Sequence, residues 1–209
     1  MANDTIFDEL RGAIASGEVR PLTRLVESDL MERYDASRPA VRAALLRLEQ
    51  EGLVEQRKNM SARVRLIERD EAIEIYQARA LLESHAAGIA ATKITDAEIA
   101  ELEALIENAE ANAQSERVRF ETEFHQKILE IAGDGTIKRL QNSLHGHLLR
   151  YHHYTRMVRD WSAESPAERR EILDALRAHD PAAASTAMRR HLDRLTDILK
   201  RTLDAEPPV

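Results

Sequence analysis

The residues of this 209-residue chain that could do chemistry fall into two groups. Between residues 36 and 66 stand seven bases, Arg38, Arg42, Arg47, Arg57, Lys58, Arg63 and Arg65, against three acids, Glu49, Glu51 and Glu55. That is a net of +4, and a guanidinium can give two parallel N–H bonds to a phosphate or to guanine O6 and N7. All eight histidines lie after residue 84. Residues 67–209 hold 19 bases and 26 acids, whereas residues 1–66 hold 11 of each. The net charge of −7 is therefore an average over two unlike parts, and it does not count against nucleic acid as a partner. A basic segment without histidine beside an acidic, histidine-rich one reads as two domains with different partners. The chain has no cysteine, which excludes disulfides, thiolate nucleophiles and Cys-ligated zinc. No Ser-His-Asp arrangement and no Gly-rich phosphate loop is evident.

The basic segment needs elements that present it. Ile6, Phe7, Leu10, Ala13 and Ile14 share one face of a helix over 5–16, which Gly17 stops. Pro21 keeps the following GEVRPLTRL from being helical. VESDLMERY reads as a short second helix, and Asp35-Ala36 as a turn. Ser37 can cap a third helix, with Pro39 in its first turn and Gly52 past its end. Val41, Ala44, Leu45 and Leu48 form its buried stripe, leaving Arg38, Arg42 and Arg47 off that stripe. LVEQR and ARVRLI around KNMS read as a two-stranded hairpin. Together these are a winged helix-turn-helix over residues 1–66. The third helix would lie in the major groove, with Ser37 and the helix N-terminus on a phosphate. Lys58 and Asn59 on the hairpin would reach the backbone or the minor groove.

Residues 67–70 read as a linker, and 71–206 as a bundle of six amphipathic helices. Thr95 or Asp96 with Glu98 has the spacing of a capping box for the second of them. Pro166 suits the first turn of the fifth. On the first, Ile73, Tyr76, Ala80, Leu81 and Ala87 are the expected core side. His145, His147, His152 and His153 suggest a metal cluster by count. Residues two apart on one helix point to different sides, so they read mainly as surface or ligand-rim groups. Only 7 Gly and 6 Pro support a mostly α protein. No run reaches 18 apolar residues, and the N-terminus has no apolar signal region, so a cytoplasmic location is expected.

The first segment resembles the DNA-binding domain of GntR-family regulators through LRGAIASGEVRP, RLVESDL and ASRPAVRAALLRLEQEGLVE. The resemblance implies that Arg38, Arg42 and Arg47 are the main DNA contacts. It departs at Pro21-Leu22, where the family has Pro-Gly. It departs also at Ala40, usually proline, and at Met60-Ser61, where the wing usually carries Arg-Gly. The second half resembles the FCD effector domain of the FadR branch, in its shorter, VanR-like form. The matching pieces are RALLESHAAGIAA, FETEFHQKILEIAGD and ERREILDALRAHDPAAASTAMRRHL.

Many members of that branch bind a divalent metal through Asp-x-x-x-His, a Glu-His pair and a late His-Leu. The resemblance places Glu121, His125, Arg169 and His191 at those four positions. Zn, Ni or Mn suits imidazole and carboxylate, so Glu121, His125 and His191 are the candidate metal ligands. Arg169 has no lone pair to give and repels a cation, which disfavours the metal. Its planar fork suits instead a small carboxylate effector, held with His125 and His191. Arg169 could equally pair with Glu121 and fill the site. Arg79 and Arg150 are further effector candidates, although Arg79 could simply pair with Glu83 four residues on.

The expected function is a ligand-responsive transcription regulator: a homodimer, and a repressor on a palindromic operator. The alternative is a metal-dependent helical-bundle enzyme. That reading needs Glu-x-x-His, and position 122 is threonine.

Overall fold

The computed structural model describes residues 2–56, 61–66, 68–112, 114–141, 143, 144 and 165–205. It is mostly helical, with one small sheet. The elements run α1 (Ala2–Ser16), β1 (Arg24–Leu25), α2 (Glu27–Arg33), α3 (Arg38–Gln50), β2 (Val54–Glu55) and β3 (Ala62–Val64). They continue with α4 (Arg69–Ala91), α5 (Asp96–Ala111), α6 (Gln114–Ala132), α7 (described over 135–141), α8 (Ser165–Arg177) and α9 (Pro181–Ala205). Two compact units part at residue 68.

In the first unit, Ile6, Phe7, Leu10 and Ile14 of α1 are buried in one core with Val41, Ala44, Leu45 and Leu48 of α3. These are the apolar stripes that the 3.6-residue period selects. Ser37 stands at the N-cap of α3 with extended backbone, but its hydroxyl makes no capping bond. Pro39 fits the first turn, where no intrahelical N–H is lost. Past the other end, Gly52 adopts φ 69°. Its N–H reaches the Glu49 carbonyl at 2.8 Å, and the Leu53 N–H reaches Leu48 at 2.9 Å, closing the helix as a Schellman motif.

The hairpin is part of a larger sheet than the sequence suggests. The strand order is β1-β3-β2, all antiparallel. Val54 and Glu55 face Val64 and Arg63, while Arg24 and Leu25 from the expected linker face Arg63 and Ala62. β3 would otherwise carry an open edge, and Leu25 gains burial by covering it. Leu22 reaches this position through φ 66°, and its N–H donates to the Val64 carbonyl at 2.9 Å. This is the place where the regulators that the segment resembles have glycine, the residue that takes such a φ freely. The wing tip, including Arg57, Lys58 and Asn59, lies outside the described residues.

In the second unit α4 packs along α9, with α6 and α8 also against it, and α5 bridges α6 and α8. Ala86, Ala87, Ala90 and Ala91 are buried on α4. A Cβ on Gly88 would stand 3.2 Å from the Pro181 carbonyl oxygen, so small residues let the two helices approach closely. The Thr95–Glu98 capping box forms in both directions. One expectation fails on α4: Leu81 is 61% exposed, and Ile73 is only partly buried. The buried stripe runs instead through Ala72, Tyr76, Arg79, Ala80, Glu83, Ala87 and Ala90. Two of these are charged, so a search for apolar periodicity drifts off the true face. Among the described residues no helix is long and apolar enough to cross a membrane.

Candidate functional site

In the first unit, Arg38 and Arg42 lie one turn apart on the exposed face of α3. Both turn their Nε toward one carboxylate, Glu27 at the start of α2. Arg42 Nε is 2.7 Å from Oε1 and Arg38 Nε is 3.6 Å from Oε2. Arg47 does not join them. Five residues from Arg42, it lies about 140° around the helix. Its guanidinium sits 3.9 Å above the Phe7 ring of α1, a cation–π contact. Ser37 is exposed at the N-terminal end of α3, beside Arg38. Arg63 is tied across the sheet to Glu55 at 2.9 Å.

In the second unit, five helices bring buried polar groups together. Glu83 of α4 is 1% exposed and gathers three partners. Arg79 Nε donates to its Oε1 at 2.7 Å, and the Gln141 amide of α7 donates to the same oxygen. His125 Nδ1 of α6 lies 2.6 Å from Oε2. Burial alone would raise the Glu83 carboxyl. The charges of Arg79 and His125 and their hydrogen bonds outweigh it and bring the group down to about 2. The His125 ring stacks on His191 of α9, with centroids 5.3 Å apart and planes 19° off parallel. His191 Nδ1 meets Glu168 Oε2 of α8 at 2.8 Å, and Arg194 contacts the other oxygen of that carboxylate. Burial pushes His191 down to about 4. The Glu168 bond opposes this shift, and the charges of His125 and Arg169 reinforce it. The neutral ring keeps its proton on Nδ1, facing the carboxylate, and a lone pair on Nε2. Among the described residues Nε2 is buried and has no hydrogen-bond partner. Arg169 of α8 is 1% exposed and, among the described residues, leads the fully buried side chains in size.

The structure thus brings together His125, Arg169 and His191, with Arg79 joined to them through Glu83. Glu121 lies on α6 one turn before His125, but its side chain is outside the described residues. Arg150 and His145, His147, His152 and His153 are outside them entirely. Glu83, Gln141, Glu168 and Arg194 were not among the residues that the sequence singled out for the site. The usable signal was Arg79 and Glu83 falling on the stripe of Ala72, Tyr76, Ala80 and Ala87, where charge is costly. Metal-ligating histidines often hold Nδ1 on a carboxylate in this way. Arg169, at one of the four positions of the metal pattern, has no lone pair to give, and among the described residues no three His, Asp or Glu groups are placed to hold a metal ion.

Residues 2–64 match the family model "Bacterial regulatory proteins, gntR family", and residues 74–194 match the FCD domain. The chain belongs to the GntR family, in its FCD branch. The Nta operon transcriptional regulator of Aminobacter aminovorans is 27% identical over 87% of this chain and 88% of its own length. LutR of Bacillus subtilis is 27% identical over 89% and 95%. Among solved structures, Escherichia coli McbR/YncC superposes with a TM-score of 0.81 over 96% of this chain and 98% of its own, at 22% identity. A GntR regulator of Rhodococcus sp. RHA1 gives 0.77 over 97% and 98%, at 25% identity. The winged helix-turn-helix and the helical FCD domain are those of a DNA-binding transcription regulator. The relatives are regulators, not enzymes.

Proposed function

We propose that this GntR-family chain is a dimeric repressor of the cytoplasm, on a two-fold operator, released or retained by a small organic acid bound inside the FCD bundle. Residues 1–66 form the head, 67–70 the linker and 71–206 the effector and dimerisation domain. Arg38 and Arg42 read base edges, and Ser37 meets a phosphate. One observation carries the effector reading: a bundle core holds Arg79, Glu83, His125, Arg169 and His191, where apolar side chains would be more stable. Arg169 supplies the positive charge for a carboxylate, and the His191 Nε2 lone pair can accept from a ligand hydroxyl.

A thermal-shift screen of the full chain against small carboxylates and divalent metals tests this, since a ligand that binds only the folded state raises its stability. A carboxylate should raise the midpoint, and Arg169→Met should abolish that rise while leaving operator affinity within about twofold. The reading fails if no carboxylate shifts the midpoint. It also fails if the purified protein carries near-stoichiometric Zn, Ni or Mn.

A further inference from the structure

Glu27 is the first residue of α2, and its side chain turns toward α3 rather than toward solvent alone. One carboxylate faces two arginines: Oε1 takes the Nε of Arg42 at 2.7 Å, and Oε2 lies 3.6 Å from the Nε of Arg38. The arginine side chains are 66% and 63% exposed, while Glu27 beneath them is 29% exposed. A guanidinium has five N–H donors in a planar fork. Arg42 spends its Nε–H on Glu27, and its two Nη groups remain as the other edge of the fork. That is the edge which can give parallel bonds to guanine O6 and N7. The Arg42 side chain is hydrogen-bonded before DNA arrives, and Arg38 lies in ion-pair range of the same carboxylate, so less rotamer freedom is lost on binding.

The charge acts in a second way. A carboxylate set between two arginines weakens their attraction for any phosphate that merely passes near, whatever the sequence. A directional bidentate contact gains from the preset geometry, whereas a loose phosphate contact gains nothing from it.

We infer that Glu27 is a specificity-determining positioning residue. It aims Arg38 and Arg42 at base edges and holds down sequence-independent binding. The inference rests on the reading of α3 as the base-reading helix.

The test uses the full chain as wild type, Glu27→Gln and Glu27→Asp. Each protein selects from a pool of 30-bp duplexes with randomised centres, and each is then titrated against the enriched wild-type duplex and a scrambled control over a salt series. Glu27→Gln should bind the scrambled duplex more tightly. Its ratio of enriched to scrambled affinity should fall by about tenfold, the scale of one bidentate base contact. Its enriched motif should be less sharply defined, and its salt slope steeper. Glu27→Asp, which keeps the charge on a shorter arm, should recover part of the ratio. A purely structural role would lower both affinities together. A Glu27→Gln ratio within twofold of wild type overturns the inference while the reading of α3 stands. A wild type that enriches no sequence overturns that reading, and the inference with it.

Discussion

Two arginine–carboxylate contacts of the same length sit in opposite surroundings. Arg42 meets Glu27 at 2.7 Å with side chains 66% and 29% exposed. Arg79 meets Glu83 at 2.7 Å with side chains 8% and 1% exposed. Distance alone would make them equal. At the surface, water and salt screen the pair, and it contributes about 1 kcal/mol or less. Its partners can be exchanged for DNA at little cost. In the core both charges have lost their hydration, so neither can lose its partner cheaply. A surface that reads DNA must trade partners, and a site that holds a ligand must keep its groups still. On the proposed function, the head and the bundle divide the same chemistry along that line.

The largest effect should come from removing the buried carboxylate. Glu83→Ala leaves Arg79 and His125 in the core without their common partner. The expected loss is about 3–5 kcal/mol, a fall of roughly 10 °C in the thermal midpoint. Glu27→Ala should cost about 1 kcal/mol or less by the same measurement. Equal losses at the two sites would erase the distinction between them.

An intermediate effect follows from pH. His191 is held neutral, its pKa lowered from 6.5 to about 4. A histidine lowered in the folded state contributes stability that is fully present above 6.5. That stability is lost as pH falls through the window down to about 4, because the unfolded chain takes up the proton first. Glu83, lowered to about 2, adds its own loss only below 4.5. The midpoint should therefore decline between pH 6.5 and 4 in wild type and decline less in His191→Gln. Parallel profiles for the two proteins would remove His191 as the cause.

How much of this was legible depended on whether a residue's role was local. The α1 and α3 stripes, the Thr95–Glu98 box and the Gly52 stop follow from spacing along one helix, and the structure has them all. β1 is two residues long, too short for any alternation to show, and exists because the edge of β3 is there to receive it. Arg47 is of the same type as Arg38 and Arg42 and is exposed like them. Its stacking on Phe7 depends on where α1 lies, which no motif in α3 states. Glu83 was visible as a partner of Arg79, but not as a centre. His125 and Gln141 reach it from 42 and 58 residues away in sequence. Charges that belong to the core blur the periodicity that marks it, which is why Leu81 reads as buried while it is exposed.

The smallest expected effect contrasts two non-glycine residues in left-handed backbone, one in each region. Leu22 in the head has φ 66° and an exposed side chain, and its N–H bond to Val64 is made by the main chain. His179 after α8 has φ 49°, and its Nδ1 lies 2.9 Å from the Ala91 carbonyl oxygen. A Cβ in this region costs about 1–2 kcal/mol, and glycine's extra freedom in the unfolded chain returns about 0.5–1 of it. Leu22→Gly should therefore stabilise the head by a few tenths to about 1 kcal/mol, whereas Leu22→Ala, which keeps the Cβ, should gain nothing comparable. His179→Gly relieves the same strain but gives up a side-chain hydrogen bond worth about 1 kcal/mol, and with it the tie to α4. It should come out neutral or destabilising. Denaturant midpoints of the three variants decide this. If both glycine variants stabilise alike, the imidazole at 179 contributes nothing to the bundle, and the backbone alone set its cost.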